Sequence, residues 1–342
     1  MLPLQRTVLA LTLCAAACPR IYAAEKIDLQ FRPPPGQKQT YRATTTLDLA
    51  TQMGPQQMVI ANLRTTTLAI EPIETADNGT VLANVRFVAI QEKSGMKGAE
   101  PGLVYDSTKP TDSSDPLASH YSAFIGECCP VKISRKGEIL ELGTDSLFLA
   151  VARNIMERED DMMRQRLKER ASNAILQTDR RFGSREGRRQ ALKKQIEAFP
   201  LMNADRIRGL VGELIVRFPD VPVQQGDSWQ IPLTVAANTP LAMTGACTLT
   251  AAAREKCTIQ ITAERAMDDP PIVSATPSGK TTAKLGGTCT ATVNVDPATG
   301  RLLDRKTQME FSGETQMRAA QQSEPMTMKT TMEGTTTVER ID

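Results

Sequence analysis

The sequence has few of the residue types that carry out enzyme chemistry or bind metals. It contains one histidine and one tryptophan, and aromatic residues make up 4% of its 342 residues. It has no CxxC pair and no second histidine, which argues against a zinc site. No glycine-flanked serine forms a nucleophile elbow, and Gly286-Gly287 is not followed by the Gly-Lys pair of a phosphate loop. These absences predict a protein with no cofactor, no bound metal and no enzymatic activity.

A hydrolase would have to be built around the one histidine, His120, which has Ser119, Tyr121 and Asp115 nearby. A loop histidine that only hydrogen-bonds to its neighbours explains the same pattern, so a hydrolase is the less favoured alternative. Nucleic acid is not expected as a partner. The net charge is only +2, and the basic residues are not interleaved with exposed aromatic residues.

Long apolar runs are absent apart from one at the N-terminus, so the sequence predicts no permanent transmembrane helix. Arg6 precedes the apolar residues 8–17, and small residues follow at Ala23 and Ala24. This pattern is typical of a secretory signal peptide over residues 1–24. The alternative is a lipoprotein signal, in which Cys18, after three alanines, would be lipidated. Both interpretations predict an exported protein, periplasmic or extracellular, that is either free or anchored as a lipoprotein.

Five cysteines follow the predicted signal peptide, and an exported protein permits disulfides between them. Cys247 and Cys257 flank a short predicted hairpin loop, so a disulfide could join them across two strands. Cys128 and Cys129 are adjacent and point to opposite faces of any strand, so at most one of them could readily reach Cys289. The odd count leaves one thiol unpaired or shared with another chain.

Residues 144–218 form the long segment in which apolar residues, beginning with Phe148, recur at helical spacing. The segment carries 16 Lys and Arg against 11 Asp and Glu. Gly183 and Pro200 bound a second helix, and a third runs from Ala204 to about Leu214. The second helix has a basic face that could contact a partner or an anionic membrane surface, formed by Arg185, Arg188, Arg189, Lys193 and Lys194.

Residues 25–143 and 219–342 instead alternate apolar and polar residues and contain strong turn signals such as Asp77-Asn78-Gly79. A first strand is predicted from Ile27 to Phe31, followed by long strands in an antiparallel meander. Residues 268–279 are predicted to form a proline-rich loop. We therefore predict an α+β fold, in which curved antiparallel sheet from two β-rich halves carries a helical insertion packed on its concave side.

The one tryptophan follows Gly226 and Asp227 at the start of a predicted strand. Trp229 and Asp227 could line the mouth of a ligand cavity between the sheet and the helices. A tryptophan at a strand start is also commonly a core anchor, so the residue has two interpretations.

Several short motifs occur in an order that resembles a family of exported bacterial β-rich proteins of unknown function. They are the signal peptide, Val104-Tyr105-Asp106-Ser107, the charged helical segment, Phe218-Pro219 and Gly226-Asp227-Ser228-Trp229. This resemblance implies an exported location and a β-rich architecture, and it supplies no activity. The predicted arrangement also resembles periplasmic lipid and lipoprotein carriers, whose apolar cavity lies between sheet and helices. We therefore expect an exported, non-enzymatic protein that binds an apolar ligand, or else a structural or interaction module.

Overall fold

The described parts of the chain contain thirteen strands and four helices. The computed structural model describes residues 26–109, 116–170, 185–197, 202–235, 241–276, 279–319 and 324–342. The strands are β1 Gln39–Met53, β2 Gln56–Thr75, β3 Val81–Met96, β4 Leu103–Asp106, β5 Cys128–Ile133, β6 Ile139–Leu142, β7 Ser228–Val235, β8 Leu241–Ala252, β9 Cys257–Arg265, β10 Ile272–Thr276, β11 Gly279–Val295, β12 Leu302–Ala319 and β13 Met326–Arg340. The helices are α1 Pro116–Phe124, α2 Thr144–Arg170, α3 Arg185–Glu197 and α4 Ala204–Leu214.

The strands pair antiparallel in one sheet, in the order β6-β5-β3-β2-β1-β13-β12-β11-β9-β8-β7. β4 pairs with β3, and β10 pairs with β11, outside this order. Strands that follow one another in the chain mostly lie side by side, and β1 pairs with β13 from the other end of the chain. The order of the strands around the sheet therefore follows the order of the chain. The sheet stays open between its edge strands, β6 and β7. Helices α2, α3 and α4 lie between those two strands in sequence.

The sheet is strongly curved, because residues of distant strands meet on its inner face. Leu47 on β1 and Val235 on β7 line the same small cavity of about 30 Å³, although five strands lie between them in the sheet. At about 4.8 Å per strand, a flat sheet would hold them roughly 29 Å apart. The inner face of the curve therefore encloses the core, which confirms the predicted class of fold.

The helices pack on the inner face of the sheet, at the level of the first residues of β1. Phe148 of α2 lies edge-to-face against Phe124 of α1, with 6.5 Å between ring centroids and 88° between ring planes. Phe124 also contacts Phe87 of β3, at 5.6 Å between centroids. Buried residues of α1, α2, α4 and the sheet belong to one large core cluster. The predicted helical insertion therefore packs against the sheet.

Some local predictions differ from the structure. The segment from Ile27 to Phe31 is not a strand, and Ile27 makes only a single bridge to Val223. Leu29 and Phe31 are buried, as the alternation suggested. The backbone of this segment crosses the turns of two hairpins instead of lying along a strand. Phe31 N, for example, donates a hydrogen bond to Arg135 O at 2.7 Å. The predicted loop at 268–279 contains β10, which pairs with β11.

Candidate functional site

A row of polar side chains crosses the inner face of the sheet and separates two apolar clusters. The register places one residue of the row on each of five adjacent strands, namely Glu92 on β3, Arg64 on β2, Thr45 on β1, Thr336 on β13 and Thr307 on β12. The large core under the helices lies on one side of this polar row, and the second apolar cluster lies on the other. Burying polar groups costs free energy unless they are paired. The polar row is therefore a feature that apolar packing alone does not require.

Arg64 and Glu92 form the most buried part of the polar row. Arg64 donates from Nε at 2.8 Å and from Nη2 at 2.6 Å to Glu92 Oε2, and both side chains are at most 4% exposed. Tyr121 of α1 donates its hydroxyl to the same oxygen at 2.6 Å, and Asn62 donates to Oε1 at 2.9 Å. Burial by itself raises the pKa of Glu92, but the charge of Arg64 and these hydrogen bonds outweigh burial and lower the pKa. Glu92 is therefore ionised at neutral pH.

Helix α4 lies over the polar row and adds two more charged residues. Asn203 caps the helix, and its side chain accepts a hydrogen bond from the backbone N of Arg206 at 2.9 Å. Arg206, Leu210 and Glu213 follow at helical spacing and line a small cavity against the sheet, next to Arg64. Burial and then the nearby Arg64 charge lower the pKa of Arg206 to about 10. This inner cavity has a volume of about 30 Å³, enough for about two water molecules.

A larger cavity of about 300 Å³ opens beside α4, in the gap between the edge strands β6 and β7. We call it the lateral cavity. Its apolar lining comprises Ile139, Ile215, Val216, Ile231, Leu233, Ile261 and Val293. Its charged lining comprises Glu138, Arg208 and Arg217, which are at least one-third exposed, and Glu213 and Arg305, which are buried or nearly so. An apolar wall with a few charged groups, at this volume, is typical of small-molecule sites.

Glu213 and Arg305 form an ion pair at the inner end of the lateral cavity. Arg305 Nε lies 2.9 Å from Glu213 Oε2, and the two side chains are 5% and 12% exposed respectively. The single hydrogen on that nitrogen is donated to Thr307 Oγ1, at 3.1 Å between heavy atoms. Glu213 Oε2 accepts no hydrogen bond from any described residue. The pair is therefore held by charge, and a buried carboxylate oxygen is left without a donor.

The turn at Gly137 lets β6 approach the segment that follows α4. Gly137 has a φ of +78°, and an added Cβ would lie 1.9 Å from the carbonyl oxygen of Val216. Phe218 N donates to Lys136 O at 2.8 Å across the same contact. Only glycine satisfies both the left-handed backbone and the lack of space. This contact fixes one wall of the lateral cavity.

The two residues predicted to form a ligand mouth lie elsewhere. Asp227 closes a turn by accepting a hydrogen bond from Gln224 N at 3.0 Å. Trp229 packs against the large core, and its indole nitrogen has no hydrogen-bond partner among the described residues. Neither lines the lateral cavity, whose β7 wall begins two residues further on, at Ile231. Because alternate residues of a strand face the same way, Trp229 and Ile231 share a face of β7.

The predicted disulfide between Cys247 and Cys257 is not formed. In the β8–β9 register, Cys247 lies opposite Ile261 and Cys257 lies opposite Ala252. The two cysteines are therefore several residues apart along the hairpin, too far for a disulfide. All five described cysteines are free thiols. Burial raises the pKa of Cys247 to about 12, which is typical of an unreactive core thiol.

Most of the predicted basic face on α3 is neutralised by neighbouring carboxylates. The ion pairs are Arg188 with Glu159 and Asp160, Arg189 with Glu186, and Lys193 with Asp145 and Glu197. Lys194 is exposed, and the side chain of Arg185 lies outside the described residues. The pairs with Glu159, Asp160 and Asp145 join α3 to α2, and the other two lie within α3. The face therefore offers less charge to a membrane or partner than its sequence suggests.

Other predictions fall at or beyond the limits of the described chain. The predicted signal peptide, with Cys18, and Asp115 lie outside the described residues. His120 lies on α1 and is partly exposed. Within the described ranges, no helix has both the length and the apolar character needed to cross a bilayer.

These features define a class of protein with an open, curved antiparallel sheet wrapped around its own helices, and with a cavity at the open seam. The chain belongs to the family of unknown function DUF6263, whose model matches residues 78–179 and 178–302. The predicted resemblance to a β-rich family of unknown function is thereby confirmed. No curated protein matches the sequence significantly.

Two solved structures match this chain at very low identity and low TM-score. A structure of lipovitellin, described for its lipid–protein interactions, is 9% identical, with a TM-score of 0.42 over 90% of this chain. The chain spans only 25% of the length of that lipovitellin chain. DynF from the dynemicin biosynthesis pathway of Micromonospora chersina is 6% identical, with a TM-score of 0.20 over 97% of this chain and 92% of its own. At these TM-scores neither similarity bears on function.

Proposed function

We propose that the protein is an exported, non-enzymatic binding protein that carries an apolar ligand in the lateral cavity. The observation that carries this proposal is the cavity itself, which has about 300 Å³ of space, a mainly apolar lining and a position at the open seam of the sheet. A ligand entering between β6 and β7 would break no hydrogen bonds between strands, because these two edges are not paired with each other. The open seam is thus a natural route of entry.

The charged residues around the cavity suit binding better than catalysis. Arg217 pairs with Glu138 at 3.0 Å near the surface, and Arg305 pairs with Glu213 at the inner end. Paired guanidinium and carboxylate groups orient a ligand, and the described lining of the cavity includes no serine, cysteine, lysine or histidine to act as a nucleophile or base. The polar row and the inner cavity of about 30 Å³ limit how far a ligand can extend toward the inside of the protein.

We expect Leu233→Glu to weaken binding of a dansyl-labelled fatty acid at least about tenfold, because it places a carboxylate in the apolar wall. Leu233 lines the cavity and is only partly buried, so the fold should tolerate the change. The matched control is Leu140→Glu, since Leu140 is 49% exposed next to the lining residue Ile139. Fluorescence titration of the three proteins measures the effect. A wild-type protein that binds no probe, or an L233E variant that binds as tightly as L140E, would contradict the proposal.

Export is tested on the protein recovered from a bacterial envelope fraction. We expect mass spectrometry of its N-terminus to show cleavage near Ala24, or a lipidated Cys18 as the first residue. An intact chain that starts at Met1 and stays in the cytosol would contradict export without affecting the binding proposal.

A further inference from the structure

One exposed methionine lies at the same end of each of five adjacent strands, β3, β2, β1, β13 and β12. Because neighbouring strands are antiparallel, the last residues of one lie beside the first residues of the next. Two of these methionines end their strands, one begins its strand, and the other two lie two residues from an end. Their side chains are 41–57% exposed, and we call them the methionine rim: Met96, Met58, Met53, Met326 and Met317.

The methionine rim lies on the inner face of the curved sheet. Leu49 packs against an inner apolar cluster, Ile60 lies opposite it on β2, and Met96 lies opposite Ile60 on β3. Alternate residues of a strand share a face, so Met53 also faces inward, and the register of β13 and β12 gives the same result for the other strands. The helices pack at the level of the first residues of β1, whereas the rim includes its last residue. The rim therefore borders the mouth of the sheet that is remote from the helices.

The rim is a continuous apolar edge rather than a set of scattered side chains. Single exposed apolar residues are common on soluble proteins, but a contiguous row of them indicates an interaction site. Residues 49–63, which include the β1–β2 turn, contain no charged residue. Methionine is unbranched and flexible, so it packs against apolar surfaces that have no fixed shape. The edge is thus suited to a soft apolar partner.

Basic side chains lie on the outer side of the same strand ends. Arg318 directly follows its rim methionine and Lys329 comes three residues after its own, so alternation turns both side chains to the outer face. Lys280 lies opposite Arg318 on β11. Lys97 pairs with Asp48 and adds little charge. Within three residues of a rim methionine the sequence has four basic and two acidic residues, namely Lys93, Lys97, Arg318, Lys329, Glu314 and Glu324.

We propose that the methionine rim docks the protein on the surface of an anionic lipid bilayer. The methionines enter the boundary between head groups and acyl chains, and the basic side chains of the outer face contact the phosphates. The apolar edge alone would also suit a second copy of the chain, but the excess of positive charge beside it is complementary to an anionic surface. This contact goes beyond ligand binding and does not depend on the lateral cavity.

Co-sedimentation with vesicles tests the proposal. All proteins carry Cys18→Ser and are recovered from the envelope fraction, so that no lipid anchor contributes. We expect binding to equimolar phosphatidylcholine and phosphatidylglycerol at least about tenfold tighter than to phosphatidylcholine alone. The double variant Met53→Asp with Met58→Asp should weaken that binding at least about tenfold. Its matched control is Ile73→Asp with Ile341→Asp, which adds the same charge at exposed apolar residues near the opposite strand ends and should bind as wild type does.

A second pair of variants tests the contribution of charge. Lys280→Gln with Lys329→Gln should lower binding to the anionic vesicles about tenfold. Lys38→Gln with Lys256→Gln removes the same charge from exposed residues near the opposite end of the sheet and should have no effect.

Several results would overturn the proposal. They are a wild-type protein that binds neither kind of vesicle, equal binding to both kinds, and equal losses in a rim variant and its matched control. Gel filtration adds another, since a wild-type dimer that the M53D/M58D variant converts to a monomer would assign the rim to a second copy of the chain. All of these results would leave the proposed ligand binding in the lateral cavity unaffected.

Discussion

Replacing Glu92 by glutamine is expected to lower the free energy of unfolding by about 3–5 kcal/mol. The substitution removes the charge that balances Arg64, and both side chains are at most 4% exposed. A guanidinium that stays buried without its carboxylate is far more costly than the loss of a surface pair. Urea unfolding at neutral pH measures the change. The matched control is Glu339→Gln, which breaks the exposed pair with Arg42 and should cost less than about 1 kcal/mol.

Acid should remove most of the difference between wild type and the E92Q variant. The pKa of Glu92 is lowered in the folded protein from a usual value of 4.5. Its contribution to stability is therefore fully present above 4.5 and is lost as pH falls through the lower folded value. Glutamine does not titrate, so the two unfolding free energies should converge in that range. A difference below 1 kcal/mol at neutral pH, or one that stays constant with acid, would show that the pair is not buried as described.

Replacing Phe148 by alanine is expected to lower the free energy of unfolding by about 3–5 kcal/mol. Phe148 is 1% exposed and fills the space between α2, α1 and the sheet, where it meets Phe124 edge-to-face. Its removal leaves a cavity in the large core, which a rigid sheet cannot close. The matched control is Leu149→Ala, one residue further along α2, where the side chain is partly exposed and a smaller loss is expected. Both are measured by urea unfolding.

The result for Phe148 decides whether the helical segment is part of the fold. A loss of only a few tenths of a kcal/mol, equal to that of L149A, would mean that α2 contributes no packing and that the helices are an appendage. A large loss would show that the sheet depends on the helices for its inner face. Helix α2 would then be part of the core that the sheet encloses.

Local sequence signals predicted many of the elements correctly. α4 runs from Ala204 to Leu214, as predicted, because its cap Asn203 and its apolar spacing are properties of adjacent residues. Alternation and turn residues, which are also local, predict strands from Tyr41 to Met53 and from Met326 to Ile341, close to the observed β1 and β13. The predictions that failed depended on distant partners. Whether Cys247 faces Cys257, or whether Ile27 to Phe31 lies beside another strand, is set by register and not by the residues themselves.

The polar row could not be found in this way, because a β-bulge changes which residues of β3 face inward. Val81, Val85 and Phe87 are buried and alternate, and continuing that count would place Glu92 on the outer face. The ladder with β2 skips Val88, so the residues beyond it change sides and Glu92 faces inward, opposite Arg64. Glu213 and Arg305 gave no signal, since nothing local brings α4 to β12.

By itself, the sequence determined the antiparallel sheet and the helical segment, because these follow from periodicity and turns within short stretches of chain. Only the tertiary structure decided which charged residues became buried, where the sheet remained open and which thiols stayed apart. Those outcomes depend on strand register and on the curvature that brings β7 round toward β1. Register and curvature are set by the whole sheet at once, so no single segment of sequence encodes them.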